Sequence, residues 1–501
     1  MLEFWRNPEY VRHVRAELRP PRSITAGLLV LIICALVGLA CWSSERKDLH
    51  EFFRVFHLFL VGIQFTVLGF WCASTCGQAI SRERELKTYD FLKTTRLTST
   101  ELMIGKILGA PIMAYFVVGC SLPVSVVAGL LGGYSVGTLL SVYALLIVFA
   151  LFISLLGLWI SMLLEKSSSA AVGLLALFPI AWSFSFVYSP FPGFGAFSIF
   201  PAIFSLYKAD ADVTRAKPTL FGLTTSFTVL TILLYAAFGA WLALMMIRNL
   251  KKDREQISLL SRWQAVGFGA FLNILFYAFL DPNAIVGKGS VNLKPEDVAG
   301  LAVGVNGLFL FLVGLATINP HEKLKAWWRR RSSGAEGYFS EAGLPWPWLV
   351  ASALAAYLLL AAEALGMRGA VALDRWHLGT AAVQLLVLLI FAARDILFLQ
   401  WCNITSMKRP LIGGCLYLCL YYVAVSVFSL VASIGSSGSA TFVFQLFTPW
   451  GVFLEQNRSP LDTPGVWAGM GLQLFFALVI LKAISGRLRR PATFRAEAAT
   501  T

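Results

Sequence analysis

The chain has 501 residues, of which 57% are hydrophobic and 14% charged, and it carries a formal net charge of +14. Soluble domains hold roughly 25% charged residues, so a water-soluble fold of this composition would leave large apolar patches against water. A mean hydropathy of +0.72 points to a bilayer as the solvent. The basic excess sits in short segments between apolar runs, which excludes a folded nucleic-acid surface and favours membrane lipids as partners.

Residues 1–23 open the chain without the short apolar stretch of a secretory signal. Phe4, Trp5, Val11, Val14 and Leu18 alternate with Arg12, Arg15 and Arg19, which predicts an N-terminal amphipathic helix lying on the membrane surface with its arginines toward lipid phosphates. Pro20-Pro21 is expected to end that helix before the first span.

Apolar runs of about 18–25 residues then recur along the chain, each long enough to cross a hydrocarbon core as a helix. They predict an all-α polytopic integral membrane protein of about twelve transmembrane helices in two six-helix halves. The first half, residues 24–250, holds Ile24–Trp42, Val55–Ala79, Ile107–Leu131, Gly137–Leu164, Ala171–Val187 and Leu220–Ile247. The second, residues 251–485, holds Leu259–Leu280, Val298–Ile318, Trp348–Leu365, Leu378–Gln400, Leu411–Ile434 and Val466–Ile484, with residues 486–501 as a tail. In each half the last two spans flank a stretch rich in aromatics, Gly and Pro (188–207 and 442–455), too apolar for a free loop and too broken for a span. Short interfacial helices are expected there.

Lys and Arg concentrate in the segments that face one side if the N-terminus is cytoplasmic, notably 80–106, 248–262, 323–331 and 487–495. That asymmetry predicts both termini in the cytoplasm and a multi-pass protein of the plasma membrane, the inner membrane in a Gram-negative cell. Arg46, Lys47 and Arg54 run against the trend.

The segment between the second and third spans, residues 80–106, is the most informative. Leu86, Tyr89 and Leu92 recur at helical spacing, predicting a short helix with one apolar edge among charges. Thr98 and Glu101 have capping-box spacing ahead of the apolar Leu102-Met103-Ile104. Around them stand Glu83-Arg84-Glu85, Thr88, Asp90, Leu97 and Gly105-Lys106. This pattern resembles the type-2 ABC transporter permease family, and Asn7-Pro8 with Glu17 and Arg19 resembles that family's opening segment. Two positions depart: Lys87 stands where the family usually has Gly, and Arg96 where it usually has Pro. The second half matches in layout alone.

The resemblance implies the membrane-spanning subunit of an exporter. It implies a separate cytosolic ABC ATPase, expected as a dimer, holding ATP and Mg, with no cofactor in this chain. Residues 80–106 would be the coupling loop: Leu86, Tyr89 and Leu92 seat in an ATPase groove, Glu83, Arg84 and Glu85 meet its rim, and Thr88 completes the motif. Thr98, Glu101, Gly105 and Lys106 would cap the loop and open the next span. A pair of chains, or one twelve-span pseudo-dimer, would complete the transporter.

No phosphate-binding loop accompanies Gly105-Lys106 or Gly287-Lys288, so ATP hydrolysis is expected on another chain. His13, His50, His57, His321 and His377 show no metal-ligand spacing, and the eight cysteines form no C-x-x-C pair. Gln64, Glu363, Arg394 and Asp395 are the polar groups within the spans; they are too few for a proton relay and are read as structural. The alternatives are a membrane-embedded enzyme such as a lipid-linked transferase, which would need clustered acids or histidines at the membrane surface, and a non-transporting scaffold.

Overall fold

The computed structural model describes residues 6–44, 48–163, 192–207, 218–252, 259–280, 294–368, 371–405, 410–435, 437–453 and 463–489. The chain divides into two compact units, Met1–Arg254 and Glu255–Thr501. Both are helical, and a two-residue hairpin pairs Thr219–Leu220 with Leu223–Thr224 in the first.

The first unit begins with α1 (Pro8–Glu17), capped by Asn7, whose side chain accepts from the Glu9 N–H at 3.0 Å. α1 ends just ahead of Pro20 and Pro21, as expected, and the two prolines also open α2 (Pro20–Ser44), because the N–H groups of a first turn have no intrahelical acceptor to lose. α3 (Leu49–Thr66) continues through a π-helical turn, Val67–Trp71, into α4 (Cys72–Ala79), then α5 (Ser81–Glu85) and α6 (Tyr89–Thr94). The expected third span is broken: α7 (Ser99–Gly109) stops ahead of Pro111, and α8 (Ile112–Leu131) resumes beyond it. α9 (Val136–Leu163) follows. A 3-10 turn (Pro192–Phe197) and α10 (Phe200–Tyr207) form the short apolar helices expected between the last two spans, and α11 (Phe227–Asn249) closes the unit.

The second unit runs α12 (Arg262–Ala278), α13 (Pro295–Ala316), α14 (His321–Ser332), α15 (Trp346–Gly366), α16 (Leu378–Ile404), α17 (Pro410–Gly435), α18 (Ser437–Phe447), a 3-10 turn (Pro449–Phe453) and α19 (Pro464–Arg489). Nine helices among the described residues are long and apolar enough to cross a membrane. α12, with 17 residues, and α17 occupy the expected seventh and eleventh spans; Ala171–Val187 lies outside the described residues. The protein is a multi-pass α-helical membrane protein.

What faces outward fits that solvent. α2 exposes Ile24, Leu28, Leu29, Leu31, Ile32, Leu36 and Leu39, a stripe that water would disfavour at roughly 25 cal/mol per Å² and that acyl chains accommodate. Each unit is assembled in a similar order. The second long helix packs along the fourth and the fourth along the sixth: α4 on α9 and α9 on α11 in one unit, α13 on α16 and α16 on α19 in the other. The first packs on the third in both, α2 on α8 and α12 on α15.

Candidate functional site

The site is the elbow between α4 and α7, and its local structure follows from three features of the sequence. Ser161 of α9 accepts the backbone N–H groups of Ile80 and Ser81 at 3.1 Å each, so the chain turns out of α4 at a fixed point. Leu86–Thr88 interrupt the helix, with Lys87 in the left-handed region at φ 57°. Thr98 then starts α7 through a full capping box: its side chain accepts from the Glu101 N–H at 3.2 Å, and the Glu101 carboxylate accepts the Thr98 N–H at 2.8 Å.

That interruption rearranges the expected apolar edge. Two short helices replace one, so Leu86, Tyr89 and Leu92 no longer share a face. Tyr89 and Leu92 turn inward, at 3% and 6% exposure, while Leu86 at 64% and Phe91 at 74% face outward. Tyr89 donates its hydroxyl to the Leu250 carbonyl at the end of α11. Arg84 donates to the Met162 carbonyl at 2.9 Å and lies over the Tyr89 ring. Lys251 donates to the Thr95 carbonyl at 3.1 Å. The elbow is thereby tied to the ends of α9 and α11. Glu85, Thr88 and Asp90 stay on its open side with Arg82 and Lys87.

Beneath it lies a four-membered ionic cluster. Lys106, with no exposed surface, places its ammonium 3.0 Å from Glu9 Oε1 and 2.7 Å from Glu83 Oε2. Arg12 closes the ring, its Nη2 2.7 Å from Glu9 Oε1 and 2.7 Å from Glu83 Oε1. Two carboxylates and two cations alternate, with Arg12 half-exposed at the rim, so the formal charge of the cluster sums to zero. Removing one member would strand a buried charge, at roughly 3–5 kcal/mol. Burial by itself would raise the Glu9 pKa, but His13, Lys106 and Arg12 outweigh it and hold that carboxyl at about 2. Burial likewise disfavours the Arg12 charge, and Glu83 and Glu9 more than restore it.

Glycine makes the approach of α1 possible. A Cβ on Gly105 would stand 2.8 Å from the Glu9 Cβ, and one on Gly109 would stand 2.9 Å from the His13 Cβ. Asn7 also donates to the Glu101 carbonyl at 2.6 Å. So α1 lies against α7 with Glu9 inward, and Arg12, expected at lipid phosphates, instead joins α1 to α5 across the cluster. Arg6, Arg15 and Arg19 remain exposed.

Sequence reading alone did not single out Glu9, Arg12 as a bridge, or Phe91. An acid directly after Asn-Pro and an exposed aromatic inside a charged loop were the available signals. Of the polar groups in the spans, Gln64 donates to Ser121 at 2.9 Å. Arg394 pairs with Asp395 and donates to Tyr421 at 3.1 Å, to Tyr422 at 3.0 Å and to Gln473. Such saturated partners make a packing network. Glu363 is half-buried on α15. Among the described residues no group of three or more His, Cys, Asp or Glu could hold a metal ion.

Hydrogen bonds tie one side of the elbow to its neighbours, and Leu86 and Phe91 show on the other. Residues 2–202 match the family model described as ABC-2 type transporter. This part of the chain belongs to that family. No curated protein and no solved structure matches. The matched region contains α1, the elbow and the ionic cluster and ends within α10, and it supports a membrane permease component of an ABC transporter.

Proposed function

We propose that the protein is the permease of an exporter and that a separate cytosolic ATPase, a dimer holding ATP and Mg, drives it through the elbow. The observation that carries this reading is the outward pair Leu86 and Phe91 on a loop whose other side is locked to α1, α7, α9 and α11. Apolar anchors within a mixed-charge rim of Arg82, Glu85, Lys87 and Asp90 suit a groove on a partner protein. Force applied there passes through Glu83 into α1 and the last turn of α7, and through Arg84 and Tyr89 into the ends of α9 and α11. Thr98 and Glu101 keep the first turn of α7 wound during that pull, and Gly105 keeps α1 seated. With the elbow in the cytoplasm, both termini are cytoplasmic as well.

The repeated order of helix packing in the two units supports a chain that is itself a twelve-span pseudo-dimer. Under that reading a single chain per ATPase dimer is the working stoichiometry; a purified particle of two chains would replace it with a homodimer.

The test is a reconstituted complex of the full chain with the ATPase encoded beside it. The double variant L86A/F91A is expected to lower ATPase stimulation at least about tenfold, since buried interface anchors contribute roughly 1–2 kcal/mol or more. Thermal stability of the permease alone should stay unchanged, because both side chains are exposed. Undiminished stimulation in that variant would overturn the coupling role. Loss of cargo from the lumen of inverted vesicles on ATP addition, rather than uptake, would overturn export.

A further inference from the structure

One end of the second unit gathers basic and aromatic side chains from three helices. α14 contributes Lys325, Arg329, Arg330, Arg331, Trp327 and Trp328. The last turns of α19 contribute exposed Lys482, Arg487 and Arg489, and α16 contributes Trp401. Leu324 and Trp327 fasten α14 to the end of the bundle by packing with Leu397, Ile404, Ile484 and Leu488. The polar face of α14 is therefore fixed in place beside the exits of two spans.

The arginines are held in a particular way. Arg487 lies over the Trp401 ring at 5.1 Å and Arg489 over the Trp328 ring at 5.9 Å. A guanidinium held over an indole face still has N–H groups to offer an oxyanion. Trp401 itself is partly buried, and its indole N–H finds no hydrogen-bond partner among the described residues. Leaving a buried N–H without an acceptor is unfavourable, so it marks a place where an acceptor belongs. A helix C-terminus favours arginine on its own account, which explains α19 but neither the α14 row nor the orphan indole.

We propose that this collar binds the headgroup of an anionic phospholipid, its phosphate between Arg487, Arg489 and the Trp401 N–H. Charge complementarity and position select that occupant. The collar sits where apolar spans end, the level of lipid phosphates, and Trp rings prefer that depth. The outward face of α14, with Glu322, Ala326, Arg329 and Arg330, offers no apolar anchor for a protein groove, in contrast to the elbow of the first unit. The bound lipid would hold the end of the second unit against the bilayer while the first unit is driven.

The experiment places the full chain in nanodiscs of phosphatidylcholine containing a photoreactive phosphatidylglycerol analogue, and maps labelled peptides by mass spectrometry. Label is expected on peptides carrying Trp328, Trp401 or Arg487–Arg489. It should fall at least about fivefold in R487Q/R489Q, given roughly a fivefold change per basic residue at a membrane surface. W401F keeps the ring and the fold and removes the N–H, and should lower labelling several-fold. A phosphatidylcholine analogue should label weakly, and excess inorganic phosphate should leave the phosphatidylglycerol signal intact. Equal labelling by phosphatidylcholine, undiminished labelling in R487Q/R489Q, or displacement by free phosphate would each overturn the proposal.

Discussion

The two units solve one problem in different ways. In each, the chain leaves the second long helix, turns at one end of the bundle and re-enters as the third, and something must hold that turn. The first unit uses ions: Lys106 and Arg12 alternate with Glu9 and Glu83 across α1, α5 and α7. The second uses backbone carbonyls. Arg262, buried at the start of α12, donates to the carbonyls of Thr317, Glu341 and Gly343. Asn319 and Gln400 exchange two hydrogen bonds of 2.9 Å beside it. An ion ring binds separate elements strongly and lets each keep its own backbone, so a push on α5 is felt in α1 and α7. A carbonyl lattice ties the turn to α12 and α16 through its backbone. The elbow with outward Leu86 and Phe91 is also the one clamped by charge, which is the division expected of a driven half and an anchored half.

Breaking each clamp at its centre should separate the units most. K106M leaves Glu9 and Glu83 with half-exposed Arg12 between them and one buried charge uncompensated, and should cost roughly 3–5 kcal/mol. R262M removes hydrogen bonds but also removes a buried charge, and should cost less, about 1–3 kcal/mol. Thermal unfolding in detergent, with proteolysis of α1 and α14 as local reporters, reads both. K106M should free α1, and R262M should free the Glu341–Gly343 turn. Equal losses would mean that the two turns are held by the same physics after all.

The second prediction concerns acid. The Glu9 carboxyl is depressed from an ordinary value of 4.5 to about 2. A depressed acid stabilises the fold above its unfolded value, and that stability is lost as pH falls from about 4.5 toward 2. The loss should reach about 3 kcal/mol for such a shift. It should appear as release of α1 to protease, and E9Q should flatten the pH dependence while being weaker at neutral pH. Arg262 is held by backbone carbonyls, with Glu341 acting on its charge, so the second elbow should respond less in that window.

The spans were legible because a run of about 20 apolar residues has one structural solution in hydrocarbon. The capping residues Thr98 and Glu101 were legible for a similar reason: the bonds lie within one turn. The orientation of the elbow side chains was not. Whether Tyr89 or Phe91 points inward depends on one left-handed residue at Lys87, and a single residue out of helical geometry rotates everything after it. The ionic ring joins positions 9, 12, 83 and 106, and sequence spacing carries no record of such a closure. Pro20-Pro21 showed where α1 stops but not that α2 begins on the prolines themselves, because proline closes one helix and opens the next with equal ease.

The smallest effect isolates that single residue. Lys87 holds φ 57°, a conformation that costs an L-residue roughly 1 kcal/mol or more. In the second unit the turn after α14 has glycine already, Gly334 at φ 77°, with open space where a Cβ would stand. The two positions form a matched pair in which packing drops out. K87G should gain about 0.5–1 kcal/mol, because relief of strain exceeds the extra freedom of the unfolded chain, and G334A should lose about 1 kcal/mol for the converse reason. Chymotryptic cleavage at exposed Phe91 and Phe339 reads each turn separately. A loss of stability in K87G would mean that the lysine side chain, and not the backbone, is what the elbow requires at that position.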